Sequence, residues 1–180
     1  MAHPLKNIMP VKLILGLIFK EIQVFEKVKI VLIKKLGEID FESPCIDFSF
    51  TNYYCEEMGS PLFRKFLSFE KLIKPTHIVK IKYFCSSLEE RFSYRGRRKI
   101  NIDPGYINLY QLVLTSFKPY YQRINLGRSV FAEVTLHFQK QSFRVLEWTY
   151  PDYRTSQYIE IFNRIRQIYK SQMKNVLPSA

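Results

Sequence analysis

No phosphate-binding glycine loop is present. The six glycines fall into neither GxxxxGK[ST] nor GxGxxG, so P-loop chemistry and a dinucleotide fingerprint have no support. The nucleophile elbow GxSxG is missing as well. Cysteine and histidine are scarce: Cys45, Cys55 and Cys85 make no CxxC pair, and His3, His77 and His137 are scattered. That spacing offers neither a disulfide framework nor a zinc site, so three free thiols and no metal ligand are expected. Long apolar runs are also absent. Leu13 to Phe19 is followed by Lys20 and Glu21, where a signal peptide would place small residues. A membrane span needs about 20 apolar residues, so the expectation is a cytoplasmic protein with no membrane segment.

Acidic residues are few: 16 Asp+Glu stand against 28 Lys+Arg, for a net charge of +12. Basic side chains number seven against eight acidic ones in residues 1–60, twelve against four in 61–120, and nine against four in 121–180. The positive charge therefore belongs to the last two-thirds of the chain.

What is present is ordinary globular material. With 180 residues, 47% hydrophobic and 16% aromatic, one domain is expected. A chain of this length buries roughly 70% of its unfolded surface, enough for a core of its own. No repeat, low-complexity stretch or flexible linker divides it. We place the domain at 10–174, with an N-terminal extension at 1–9 and a C-terminal tail at 175–180.

Val11 to Phe19 reads as a strand covered on both faces. Ile22, Phe25, Val28, Leu32 and Leu36 recur at helical steps, and Gly37 is placed to end that helix. One or two short strands are expected over Glu38–Phe50, and a hairpin around Gly59-Ser60-Pro61. Pro75 opens a second helix with the stripe Ile78, Ile81, Cys85, Leu88 and Phe92. Four strands then follow from Lys99 to Trp148, with a break expected at Asp103-Pro104-Gly105. Ile159, Phe162, Ile165 and Tyr169 face inward from a last helix over Ser156–Met173. The fold class is α+β: a single domain with a mixed, largely antiparallel sheet and helices mainly on one face.

Candidate site residues fall into a few groups. Phe131 to Phe138 alternates, with Val130, Ala132, Val134, Leu136 and Phe138 on an apolar face. Its other face would carry Glu133, Thr135 and His137 as the wall of a polar pocket. Asp103 and Tyr106, Lys118 and Arg123, and the run Trp148 to Arg154 are the pieces that could converge on it. In that run Asp152 and Thr155 are candidate caps for the last helix, and Arg154 suits a carboxylate or phosphate. Tyr53, Tyr54, Glu56, Glu57 and Arg64 form a further group, read as hairpin surface. The densest basic cluster, Arg91, Arg95, Arg97, Arg98 and Lys99, is an alternative nucleic-acid surface.

Several of these segments also occur together in one family. Pro10 to Ile18, Ile39 to Ser43, Phe66 to Ile73, Asn101-Ile102-Asp103-Pro104-Gly105-Tyr106, Ala132 to Leu136 and Trp148-Thr149-Tyr150-Pro151-Asp152-Tyr153-Arg154 resemble a bacterial family of this length catalogued as a domain of unknown function. Members are sometimes labelled GTP-binding protein, a label that the missing P-loop does not support here. The family pattern places a His before the Arg-Ile pair where this chain has Gln122, a departure that leans away from catalysis through that turn.

The leading expectation is a small anionic ligand, a nucleotide or phosphorylated metabolite, held on the open sheet face by Asp103, Tyr106, Lys118, Arg123, Glu133, Thr135, His137, Asp152 and Arg154. The alternatives are an RNA- or ribosome-associated protein using residues 91–99, and a non-catalytic adaptor subunit. Catalysis, cofactor and oligomeric state are left open by the residues.

Overall fold

The computed structural model describes residues 8–176. Most of the expected extension at 1–9 and tail at 175–180 lies outside them. In chain order the elements are β1 (Lys12–Phe19), α1 (Ile22–Leu36), β2 (Ile39–Glu42), β3 (Ile46–Asp47), α2 (Cys55–Met58), β4 (Phe63–Phe69), α3 (Ile78–Arg91), β5 (Ile100–Ile107), β6 (Gln111–Ser116), β7 (Ile124–Asn125), β8 (Phe131–Gln139), β9 (Ser142–Val145) and α4 (Ser156–Val176). All nine strands join one sheet, ordered β2-β4-β1-β5-β6-β8-β7, with β3 on β4 and β9 on β8. Every named strand pairing is antiparallel. The chain is a single α+β domain.

Strand alternation sorts the core into two layers. From β1, Leu13, Leu15, Leu17 and Phe19 point to one face, where Phe25, Val28 and Leu32 of α1 and Ile78, Ile81, Cys85 and Leu88 of α3 cover them. Ile14 points to the other face, where Phe66, Ile107, Leu112 and Leu136 meet Tyr158, Phe162 and Ile165 of α4. Two long helices thus share one face and the third lies on the opposite one. All eight residues of β1 are buried, as expected of a strand covered on both sides.

The α4 helix spans only part of its face. Over the rest, Ile18 packs beneath Phe48, Met58 and Leu62, and the sheet floor beside that cluster stays uncovered. Gly16 fits this region through its lack of a side chain: a Cβ there would stand 2.8 Å from Nη1 of Arg64 and 3.2 Å from the Phe66 ring.

The expected hairpin at 59–61 does not form. Cys55–Met58 make one helical turn, closed by Gly59 at φ 78° with its N–H donated to the Cys55 carbonyl. Only the second arm, β4, is a strand, and it pairs with β1, β2 and β3.

Asp103-Pro104-Gly105 is not a break either. It runs straight through β5, with Pro104 opposite Leu15 of β1. The Pro104 carbonyl accepts from the Thr115 hydroxyl of β6 at 2.7 Å, so the edge without an N–H faces β6 and costs the β1 ladder nothing. Pairing between β5 and β6 is confined to Gly105–Ile107, and the strands part beyond it. Counting β5 to β9, this half holds five strands rather than four.

Candidate functional site

A cavity of about 430 Å³ occupies the uncovered part of the α4 face. Its floor is built from β4, β5, β6 and β8, which present Arg64, Asn101, Asp103, Leu114 and Glu133. Two segments without regular structure rim it, Phe48–Tyr54 and Phe117–Arg123, and Tyr150–Tyr153 close a third side.

The parting of β5 from β6 admits α3 from the far face. Glu89 of α3 reaches the gap and accepts the Ile102 N–H at 2.5 Å, a donor that a longer β6 would have taken. Lys82, two helical turns earlier, lies 3.5 Å from Asp103. Both side chains line the cavity. Burial pushes the Glu89 carboxyl up to about 7; the Asp103 charge adds to this, and the Ile102 N–H, Lys82 and Arg98 offset it only in part.

Arg64 is the most deeply buried cation of the cavity lining, 3% exposed. Its Nη2 donates to Asp152 at 2.9 Å, and its guanidinium lies over the rings of Phe48, Phe66 and Tyr153. Neither Nε nor Nη1 makes a well-formed hydrogen bond among the described residues, and the hydroxyls of Tyr153 and Tyr158, which feel the Arg64 charge, are equally unpaired. Burial raises the Asp152 carboxyl even beside Arg64, while Arg64 remains a guanidinium.

On the opposite wall Arg123 makes four hydrogen bonds. It donates to Glu133 at 2.8 Å, to the Ser116 hydroxyl at 3.1 Å, to the Lys118 carbonyl at 2.7 Å and to the Tyr150 hydroxyl at 2.6 Å. Gln122 donates to the same Glu133 oxygen at 3.0 Å. The 117–123 segment is thereby tied to β8 and to Tyr150. Lys118 is freer: its ammonium donates to the Tyr53 hydroxyl at 3.2 Å and sits 4.5 Å from that ring's centre.

Of the residues singled out in the sequence, Asp103, Lys118, Arg123, Glu133 and Asp152 line this cavity. The other four do not. Tyr106 follows the β5 alternation to the opposite face, against the α1 and α3 core. Thr135 is the extra residue of a β-bulge: Leu112 pairs with Leu136 and Val113 with Val134, which skips it. The bulge reverses the side-chain alternation, so Leu136 and Phe138 join the α4 face and His137 turns away from the face that Glu133 shares. Arg154 is spent on its own loop, donating to the carbonyls of Thr149 and Glu147 at 2.6 and 2.7 Å. Thr155 accepts the Tyr158 N–H at the start of α4, while the Asp152 carboxylate is turned to Arg64.

The basic cluster divides as well. Arg91, Arg95 and Arg97 are exposed and Lys99 half-buried, around a tight turn in which Arg95 and Gly96 take positive φ. Arg98 is drawn inward, gripping both Glu57 oxygens and donating to Asn101 at 2.8 Å. It lines the cavity, as do Tyr53, Tyr54 and Arg64 of the group read as hairpin surface. Lys82 and Glu89 belong to no motif that the sequence displays. Their one signal is that they follow the Ile78–Cys85 stripe of α3, at steps of four and seven residues from Ile78 and Lys82.

Among the described residues, no cluster of three or more His, Cys, Asp or Glu side chains could hold a metal ion, and no helix is long and apolar enough to cross a membrane. Cys45, Cys55 and Cys85 are free thiols. The model of the family described as Domain of unknown function (DUF4416) matches residues 9–169, nearly the whole chain. No curated protein and no solved structure matches the chain. The chain belongs to that uncharacterised bacterial family.

Proposed function

For this member of the DUF4416 family we propose binding of a small anionic ligand, a nucleotide or phosphorylated metabolite, in the cavity beside α4. The observation that carries the reading is Arg64. A buried donor without an acceptor costs about 1–3 kcal/mol, and Arg64 holds two of them on a charged group at the cavity floor. Both nitrogens are closed to water as the side chain stands, so an anionic oxygen in the cavity returns that cost as the guanidinium turns to meet it. Lys118 adds a cation with no carboxylate partner among the described residues, and Tyr53, Phe117 and Tyr150 supply flat apolar surface for the body of a ligand. Free thiols suit a reducing compartment, and the proposal includes the cytoplasm.

The test is a thermal-shift panel of nucleoside mono-, di- and triphosphates with and without magnesium, sugar phosphates and a short single-stranded RNA. A ligand at 100 times its dissociation constant stabilises by about 2.7 kcal/mol, on the order of several degrees for a chain of this size. A saturable shift with a small phosphorylated compound is expected. Arg64→Lys keeps the charge but loses the planar fork, and should weaken that compound about tenfold or more. A shift with RNA alone, fading steeply as salt rises, would replace this reading with the surface around Arg95. Equal affinity in Arg64→Lys and wild type would remove Arg64 from the site.

A further inference from the structure

Deepening the anion-binding reading, on which it rests, we infer that the ligand is a phosphate monoester on a hydroxyl-bearing scaffold, the chemistry shared by sugar phosphates and nucleoside monophosphates, and that polyphosphates are rejected. The charge of the lining carries this. Five cations reach the cavity: Arg64, Lys82, Arg98, Lys118 and Arg123. Four carboxylates face it with them: Glu89, Asp103, Glu133 and Asp152.

Most of that positive charge is already committed. Arg123 is paired with Glu133, Arg64 with Asp152, and Arg98 with Glu57 from outside the lining. Lys118 alone among the five has no carboxylate within 4.0 Å among the described residues. The surplus is about one positive charge, which meets much of a single phosphoryl group's charge of about −1.5 to −2 and little of a polyphosphate's. A chain of phosphates would bring further charge against Asp103, Glu133 and Asp152, and against Glu89 once it ionises, and like charges set together weaken binding.

The carboxylates also ask for something an inorganic polyphosphate lacks. Ionised, they only accept hydrogen bonds. Asp103 takes one from Asn101 at 2.8 Å, and its second oxygen has only the Lys82 ammonium at 3.5 Å, the long limit of a hydrogen bond. A hydroxyl or amino group of the ligand satisfies that oxygen. Inorganic polyphosphate has no such donor to offer.

The experiment is calorimetric titration of the whole protein with ribose 5-phosphate, AMP, ATP and inorganic tripolyphosphate, repeated on Asp103→Asn. In the wild type, ribose 5-phosphate or AMP should bind at least about tenfold tighter than tripolyphosphate. Asp103→Asn removes one negative charge and one good acceptor, so the two classes should move in opposite directions: the monoester weaker, tripolyphosphate tighter. A general loss of structure would weaken both alike.

AMP tighter than ribose 5-phosphate assigns the aromatic rim to a base, and the reverse assigns a sugar phosphate; either supports the inference. Tripolyphosphate or ATP as the tightest ligand overturns it and leaves the anion-binding reading standing. Both classes moving in the same direction in Asp103→Asn overturns it too. No binding of any probe to the wild type would fell the anion-binding reading itself.

Discussion

Two buried cations share the α4 face of the sheet, and their surroundings differ. Lys12 of β1, 0% exposed, lies where α4 covers the sheet. Its ammonium donates to Asp40 and, at 2.8 Å, to Gln172 of α4, while Asp40 also accepts the Ser68 hydroxyl. Arg64 of β4 lies in the uncovered part, with one carboxylate and two N–H groups to spare. Burial without water is costly for both. The closed half gives its one cationic nitrogen two acceptors from its own chain, and the open half leaves two of the three Arg64 nitrogens with no well-formed hydrogen bond among the described residues. A cation kept buried for the fold has its partners supplied by the fold; one kept for a ligand does not.

The largest expected effect lies in the closed half. Lys12→Met leaves Asp40 facing Ser68 without its cation, and removing one partner of a buried pair costs about 3–5 kcal/mol. Denaturant unfolding should show that loss, with ribose 5-phosphate affinity of the folded fraction unchanged. A loss of affinity as large as that in Arg64→Lys would collapse the distinction between the halves.

Next comes the proton held in the open half. The Glu89 carboxyl has its pKa raised by burial from an ordinary 4.5 to about 7, so between those values the folded chain keeps a proton the unfolded chain has released. Stability contributed by this group is therefore complete below about pH 4.5 and falls as pH rises toward 7. At about 1.36 kcal/mol per pH unit the fall is on the order of 3 kcal/mol. Glu89→Gln cannot titrate, so its stability relative to wild type should climb between pH 5 and 8. Unfolding free energies of the two proteins, measured across that range, check the sign as well as the size. A constant difference would mean that Glu89 is ionised throughout.

The same contrast separates what is legible in the sequence from what is not. The covered half follows simple periods. The 3.6-residue stripes of α1, α3 and α4 and the unbroken apolar run of β1 name the core by pattern alone. The open half is built from exceptions to those periods. The bulge at Thr135 reverses an alternation that, read straight, puts His137 beside Glu133. Pro104 reads as a turn, yet it stands in mid-strand because its missing N–H faces a neighbour that has already parted from it. Glu89 and Lys82 look like the polar edge of a helix on the far face, and only the gap between β5 and β6 brings them into the cavity. Asp103, Lys118, Arg123 and Glu133 can be named because each sits beside a strand end, a turn or a mid-strand position that carries a chemical oddity. Arg64 can be named only as hairpin surface: beside Lys65 in an aromatic strand, it gives no sign that two of its nitrogens will lack partners.

The smallest expected effect tests where the positive charge of the chain matters. Arg95 and Arg97 are exposed on a turn outside the cavity, and Arg95 lies over the neighbouring Tyr94 ring. Arg98, one residue further on, is held by Glu57 and lines the cavity. Replacing Arg95 and Arg97 together with Ser should change stability by no more than about 0.5 kcal/mol, as surface substitutions do. Screening over about 8 Å at physiological salt should also leave ribose 5-phosphate affinity unchanged. Arg98→Ser, by contrast, strands Glu57 and frees the α2 turn from β5, and should lower both. Paired unfolding and titration curves for the two variants read this directly. Equal losses in both would mean that long-range charge, rather than the cavity's own partners, draws the anion in.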